Sequence, residues 1–349
     1  MDFWGYSFDA YEVATEDGFI LTTFHITGNR NQEVSTDPSR APVLLMHGQG
    51  CDAENWVNVD PDDLPDKSET PLPLPLHLFD DGFDVWMASN RGTKYCQQHK
   101  TLEFNTKEYW EYSWAEMGKY DDVANINFVK AQTGAQKVSY VGVSQGTVQM
   151  FYGLATDKAG FFAENLFTFA AIDPCTIQVN DNIETDVYTD GLFKFRDYGV
   201  YVLGGPDWNK DRKTICDNFN QDICDYAESY AEGEPVTVRT NEHWAQNVLQ
   251  YRFQEYAPDY TRGQTQTDLI DLASIQGVPI SVWSGELDVT CSNFEARKTV
   301  RTIGEDVFKF RTVREANHSF WGGKLRTDEL FKEFRQALIN PHAAGLPTF

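Results

Sequence analysis

The stretch Lys137-Val-Ser-Tyr-Val-Gly-Val-Ser-Gln-Gly-Thr-Val-Gln-Met150 decides how the rest of the chain is read. A short β-branched and aromatic run (Val138, Tyr140, Val141) leads into Gly142-Val143-Ser144-Gln145-Gly146. A helix-compatible segment, Thr147 to Leu154, follows at once. In strand–turn–helix context this G-x-S-x-G pattern predicts a nucleophile elbow, with Ser144 raised on a sharp turn. The glycines have a mechanical role. A side chain at either position would collide with the adjoining strand or helix, and the serine itself sits in strained backbone. The pentapeptide alone recurs by chance, so the chain around it has to agree.

A length of 349 residues accommodates one large α/β domain with an insertion, or two domains. The 41% hydrophobic and 14% aromatic content supports a sizeable core and excludes global disorder. Against 53 acidic residues stand 29 basic ones, a net charge of −24, which argues against nucleic acid or anionic membrane as partners. The balance suits an acidic or salty compartment, and equally a plain soluble acidic surface. No apolar run is long enough to span a membrane. Residues 1–20 lack the basic and apolar regions of a signal peptide, so a secretory protein would begin at or near its mature end here. Asn317-His318-Ser319 is a glycosylation sequon. Six cysteines (51, 96, 175, 216, 224, 291) are weak evidence of an oxidising compartment. None has metal-site spacing with histidine, and no metal or cofactor is expected.

In chain order, Tyr11 to Ile26 reads as two strands around a Glu16-Asp17-Gly18 turn. Gly28 to Arg40 is a polar loop. Ala41-Pro-Val-Leu-Leu-Met-His-Gly48 is a continuous apolar strand of the kind buried on both faces of a parallel sheet. Residues 60–77 form an acidic, proline-rich surface loop, followed by a helix end at His77 to Asp80 and a strand at Phe83 to Ala88. Trp110 to Thr133 carries apolar residues at helical spacing, and Leu166 to Ile172 is another buried strand ending at Asp173. Alternation then stops over residues 176–272, with helical patches such as His243 to Tyr256. It resumes with strands at Val278–Trp283 and Val307–Val313, and helices near 293–303 and over Asp328 to Leu338. The pattern predicts a doubly wound, mostly parallel α/β sheet over residues 1–175 and 273–349. The insertion 176–272 is expected to cap the edge where such folds bind ligands.

A serine nucleophile needs a base, and the base an orienting carboxylate, in the chain order Ser…Asp/Glu…His. Three histidines follow Ser144. His243 falls on a cap helix and His342 in a Pro341-flanked tail, whereas His318 lies between the last strand and the last helix. Asp288 stands in the loop directly after a strand, with Glu286 and Asp173 as rivals. The oxyanion hole is expected from the backbone N–H groups of Gln145 and Gln49. His47 reads as a buried histidine buttressing the Gln49 loop.

Beyond these positions the chain resembles the acid lipases, the family of gastric and lysosomal acid lipase. The resemblance rests on Phe3-Trp-Gly-Tyr6 leading to Tyr11-Glu-Val-Ala-Thr-Glu-Asp-Gly-Phe-Ile-Leu21, Leu45-Met-His-Gly48 with Asn55-Trp56, and Gly82-Phe-Asp-Val-Trp86 with Ser89-Asn-Arg-Gly92. It continues through Trp110 to Asp121, Tyr140 to Thr147, Val278 to Trp283 and Asn317-His318. It implies an α/β-hydrolase fold and hydrolysis of neutral lipid esters, triacylglycerols or cholesteryl esters, in a secretory or lysosomal setting, with the substrate met at a lipid–water interface. It also implies Ser144, Asp288 and His318 as nucleophile, acid and base, Gln49 and Gln145 as oxyanion donors, and a bridge near Cys216 and Cys224. Val143 replaces the family's histidine before the nucleophile, and Gln49-Gly50-Cys51 replaces an apolar pair. The insertion, with Asp207, Asp211, Asp217, Asp222 and Asp225, is more acidic, which leaves acyl and alcohol specificity open. Cys51 and Cys96 follow neighbouring strands of this fold, as do Cys175 and Cys291, so three bridges are expected. The competing readings are a phospholipase or acyltransferase on the same triad, and a non-catalytic lipid-binding relative.

Overall fold

Strands β1 (Tyr6–Ala14) and β2 (Phe19–Asn29) form the expected hairpin, closed by Gly18 at φ +107°. The short apolar runs β3 (Pro42–Met46), β4 (Asp84–Ala88), β5 (Val138–Val143), β6 (Leu166–Ile172), β7 (Ile280–Gly285) and β8 (Val307–Val313) follow. The computed structural model describes residues 4–29, 32–33, 40–58, 72–177, 192–261, 265–318, 320–322 and 328–341. Most of the loops expected at 28–40 and 60–77 and the tail with His342 lie outside them. So do Ser319 of the sequon and parts of 176–272.

The strands assemble in the order β1-β2-β4-β3-β5-β6-β7-β8. Pairs from β4 through β3 to β8 are parallel, and β2 joins β1 and β4 antiparallel. The two-sided burial read from the sequence has a direct counterpart in β3. Leu44 and Met46 enter one apolar cluster, with Trp86, Tyr140, Phe169 and Val282. Val43 and Leu45 enter the other, with Met87, Val141, Ala170 and Trp283. Helices α1 (Leu74–Asp80), α2 (Asp122–Thr133), α3 (Gln145–Thr156), α7 (Asn293–Ile303) and α8 (Asp328–Ile339) belong to this part of the chain. α2 is preceded by a turn at Trp114–Glu116 and a wide π turn at Met117–Asp121. The helical run begins at Trp114 rather than Trp110 because the Ser113 hydroxyl and Glu116 close a capping box there.

Between β6 and β7 come α4 (Trp208–Asn218), α5 (Gln221–Glu228) and α6 (Val238–Gln250). A two-stranded piece pairs Val202–Leu203 with Val236–Thr237. These elements share an apolar cluster of their own, including Leu192, Phe195, Ile215, Ile223 and Val238. α6 starts earlier than expected, capped by Thr237, and ends at Gln250 because Tyr251 turns left-handed at φ 53°.

Two of the three expected disulfides form, Cys175–Cys291 and Cys216–Cys224. The third does not: Cys51 and Cys96 are free thiols. Cys96 is buried against β2, its sulfur accepting from Thr22 N–H at 3.1 Å and donating to Ser89 O at 3.3 Å. Cys51 lies on the loop whose Gly50 carbonyl accepts from Glu234 N–H at 3.0 Å. Adjacent strands fix where two loops begin, and these two loops then turn to different partners.

The Glu16-Asp17-Gly18 turn is tied down by Arg91, whose guanidinium is fully buried. It donates to both Asp17 oxygens (2.7 and 3.0 Å) and to Asp121 (2.7 and 2.9 Å), and stacks 4.1 Å over the Phe19 ring. Removing one member of a buried charge cluster strands the others without water. Arg91→Ala is therefore expected to cost about 3–5 kcal/mol, read as a lowered urea midpoint. A variant within about 0.5 kcal/mol of the parent, the range of ordinary surface substitutions, would refute the assignment.

Candidate active site

Ser144 sits between β5 and α3 at φ 52°, ψ −119°, a conformation unusual for a residue with a Cβ. Its N–H donates to Ile172 O at 3.0 Å, fixing the turn against β6. The expected glycine mechanics hold in detail. A Cβ on Gly142 would meet Gly146 O at 2.6 Å, and a Cβ on Gly146 would meet Met46 O at 2.6 Å and His47 O at 2.8 Å. A Cβ on Gly48 would stand 3.2 Å from the Ser144 Cβ, so the loop after β3 lies directly against the serine.

The structure brings Ser144, His318 and Asp288 together from the ends of three strands. His318 Nε2 is 3.0 Å from Ser144 Oγ, and its Nδ1 is 2.8 Å from Asp288 Oδ2. Asp288 is buried, and its Oδ1 accepts from the N–H groups of Thr290 (2.8 Å) and Cys291 (2.9 Å). A carboxylate accepting from Nδ1 leaves Nε2 as the nitrogen that faces the serine. Of the rivals, Glu286 accepts from Glu315 N–H at 2.9 Å and points away. Asp173 is buried behind Asp288. His243 is engaged by other partners. It stacks on Trp114, accepts from Ser113 Oγ (3.0 Å) and donates to Gln254 O (2.8 Å), and burial pushes its imidazole down to about 3.

At the start of α3 the Gln145 N–H belongs to the first turn, where no intrahelical acceptor exists. Its side chain is buried, donating to Met117 Sδ at 3.4 Å. The Gln49 side chain turns outward, donating to Asn241 Oδ1 of α6 at 2.7 Å and to the Tyr230 hydroxyl at 3.3 Å. His47 has the buttressing environment read from the sequence. Its Nε2 accepts from Asn90 N–H at 3.0 Å, so Nδ1 carries the proton and donates to Gly48 O at 2.8 Å. Burial lowers its basicity, which keeps this tautomer neutral.

Sequence reasoning missed a polar network beneath the elbow. Gln149 on α3 exchanges two hydrogen bonds of 3.1 Å with the Asn90 side chain and donates to Asp122 Oδ1 at 2.8 Å. Tyr140 of β5 reaches Asp122 Oδ1 and Gly146 O, both at 3.0 Å. The available signal was Gln149 and Asp122 standing at positions that helical periodicity assigns to the core. Among the described residues, three groups have metal-ligand side chains close together. Two contain disulfide sulfurs, and the third is Asp173, Asp288 and His318.

Residues 1–60 match the description "partial alpha/beta-hydrolase lipase region", and residues 41–160 match "alpha/beta hydrolase fold". The chain is similar to the lysosomal acid lipase/cholesteryl ester hydrolase of Homo sapiens, 30% identical across 92% of this chain and 85% of the relative. The human gastric triacylglycerol lipase is 29% identical across 82% of this chain and 76% of its own length. Human lipase member M reaches 43% over 152 residues, 44% of this chain and 34% of its own. Among solved structures, carboxylesterases of Nitrososphaera gargenis (TM-score 0.51, 14% identity, 95% of this chain and 99% of that one) share the fold. So does the naproxen esterase of Bacillus subtilis (TM-score 0.50, 14% identity, 96% and 93%). The strand order, the elbow and 30% identity with lysosomal acid lipase over 92% of the chain together make this chain a member of the acid lipase family of α/β-hydrolases and a carboxylic ester hydrolase.

Proposed function

We propose that Ser144, His318 and Asp288 form the catalytic triad of an esterase that cleaves neutral lipid esters, triacylglycerol or cholesteryl ester. The observation that carries the reading is the continuous hydrogen-bonded path from Ser144 Oγ through His318 to Asp288, with the serine on a glycine-flanked turn at positive φ. Ser144 Oγ attacks the ester carbonyl while His318 Nε2 takes its proton. The N–H groups of Gln145 and Gln49 receive the oxyanion, collapse expels the alcohol with the proton from His318, and water releases the acid by the same steps.

Residues 176–272 are assigned as the cap over this site. The reading is supported by contacts from that segment to the loop after β3: Asn241 and Tyr230 to Gln49, and Glu234 to Gly50. Opening of this polar seam at a lipid–water surface is part of the proposal. A phospholipase or acyltransferase is the second reading, favoured by the polar side chains Gln49, Thr237 and Thr240 lining the narrow pocket beside the oxyanion loop.

Ser144→Ala is expected to lower kcat by roughly 10⁵–10⁶ and to abolish labelling by a fluorophosphonate. Retained labelling, or hydrolysis at the parental rate, excludes Ser144 as the nucleophile. A panel of triacylglycerol, cholesteryl ester and phospholipid substrates separates the two readings, since hydrolysis of phospholipid alone would overturn the first.

The setting is proposed to be secretory or lysosomal, which the two disulfides and the charge balance support. Buried carboxyls add to the case. Burial pushes Glu242 up to about 7 and Asp211 up to about 6, and holds Asp122 and Asp173 well above the carboxylate range. Acids whose folded values are raised contribute stability that is complete below their unfolded values and is lost as pH rises through the folded ones. His47 and His243, lowered by burial, act oppositely: their contribution is lost as pH falls below about 6.5. The four carboxyls outweigh the two imidazoles, so the thermal midpoint is expected to be higher near pH ~6 than near pH ~7.5. A midpoint that drops on this acidification would count against an acidic setting.

A further inference from the structure

Asp173 is the titratable residue beside the triad to which the mechanism gives no task. It ends β6 as Asp288 follows β7, and the two strands are parallel neighbours with Ile172 opposite Trp283, so both carboxyl groups reach one edge of the sheet. Asp173 takes a left-handed conformation at φ 47° and is completely buried. Its N–H donates to Trp283 O at 2.7 Å, and its Oδ1 accepts from Gly285 N–H at 2.8 Å. Its other oxygen, Oδ2, is buried and has no donor among the described residues. A carboxyl oxygen of Asp173, one of Asp288 and a ring nitrogen of His318 all lie within 4.8 Å of one another. The Cys175–Cys291 bridge, two residues after one aspartate and three after the other, fastens the two loops together.

Two carboxyl groups so close and so dry do not both ionise; one keeps a proton. Asp288 has two backbone N–H donors on Oδ1 and the imidazole on Oδ2, which favour its charged form. Asp173 has one backbone donor and an empty oxygen. Burial, and then the charge of Asp288, hold its carboxyl well above the usual range; the Gly285 N–H acts the other way, and a hydrogen bond shared with Asp288 adds to the rise. The titratable groups facing Asp173 are Asp288 from the loop after β7 and His318 from the loop after β8; the bridge between the loops does not titrate.

We propose that Asp173 is a neutral carboxylic acid whose O–H, carried on Oδ2, is directed at the Asp288 carboxylate, making it a positioning residue that acts on His318 through Asp288. A carboxylate that accepts this extra hydrogen bond holds less negative charge against the imidazole. The base then stays neutral to lower pH, which suits ester cleavage in mild acid. The inference rests on the triad reading for its kinetic consequence, but the protonation of Asp173 can be observed without turnover.

The test compares Asp173→Asn with Asp173→Ala. The amide can still donate to Asp288 and accept from Gly285 N–H, so Asp173→Asn is expected to leave the acid limb of the kcat/KM profile in place and to lower kcat less than about tenfold. Asp173→Ala removes the donor, and its acid limb is expected to move up by roughly one pH unit with a fall in kcat and little change in KM. An ionised Asp173 would give the opposite sign, because Asp173→Asn would then remove a negative charge beside the base and move the limb to lower pH. That result, or an asparagine variant that shifts like the alanine one, overturns the proposal. Should the alanine variant fail to fold, infrared difference spectra of Ser144→Ala with and without Asp173→Asn decide. A protonated-carboxyl band at neutral pH, lost with Asp173→Asn, is expected, and its absence overturns the proposal even if the triad assignment stands.

Discussion

Ser144 occupies a backbone conformation that costs on the order of 1–3 kcal/mol for a residue with a side chain, and the surrounding structure leaves it no other. Its N–H is held by Ile172 O. Its two glycine neighbours are pressed against the elbow's own backbone and against the carbonyls of Met46 and His47. Because Gly146 has no Cβ, the end of β3 approaches the start of α3 closely enough to place Gly48 against the serine. The position of Ser144 and the position of the Gly48–Gln49 loop are therefore one constraint. His47 extends it to the loop after β4, bridging Gly48 O and Asn90 N–H, and Gln149 returns it to α3 through the Asn90 side chain.

A different balance of forces governs the segment between β6 and β7. It has its own apolar cluster, and its seam with the core joins ion pairs to apolar contacts, with Val202, Trp244, Phe253 and Ile270 entering the core's cluster. Arg196 meets Glu111, Arg239 meets Glu116, and Lys94 N–H donates to Glu234. Half-buried contacts of this kind exchange for water at small net cost, unlike the loss of an apolar interface. The one densely aromatic junction is Trp114, stacked on His243 and Phe253.

Much of this was legible in the sequence because it rests on local patterning. Strands β5, β7 and β8 are short and bounded, and Ser144, Asp288 and His318 each stand shortly after one of them. The Glu-Asp-Gly turn was legible as a turn, but its anchoring by Arg91 was not, since that pair is separated by 74 residues. Pairing of Cys51 with Cys96 failed for the same reason: a thiol's partner depends on the path of a loop after it leaves the sheet. Asp173 was visible only as a rival for Asp288. Its placement behind that residue needed the register of β6 against β7, which no local pattern encodes.

The Cys175–Cys291 bond joins residues 116 apart, one just after β6 and the other just after β7. Everything between them, including α4, α5, α6 and the strand β7 itself, is a covalently closed ring, one arc of which is paired into the sheet. A protease that cut this ring once would linearise it without releasing it. The two pieces would stay joined through the bond beside Asp288 and would part only on reduction, so a nick would leave one covalent molecule.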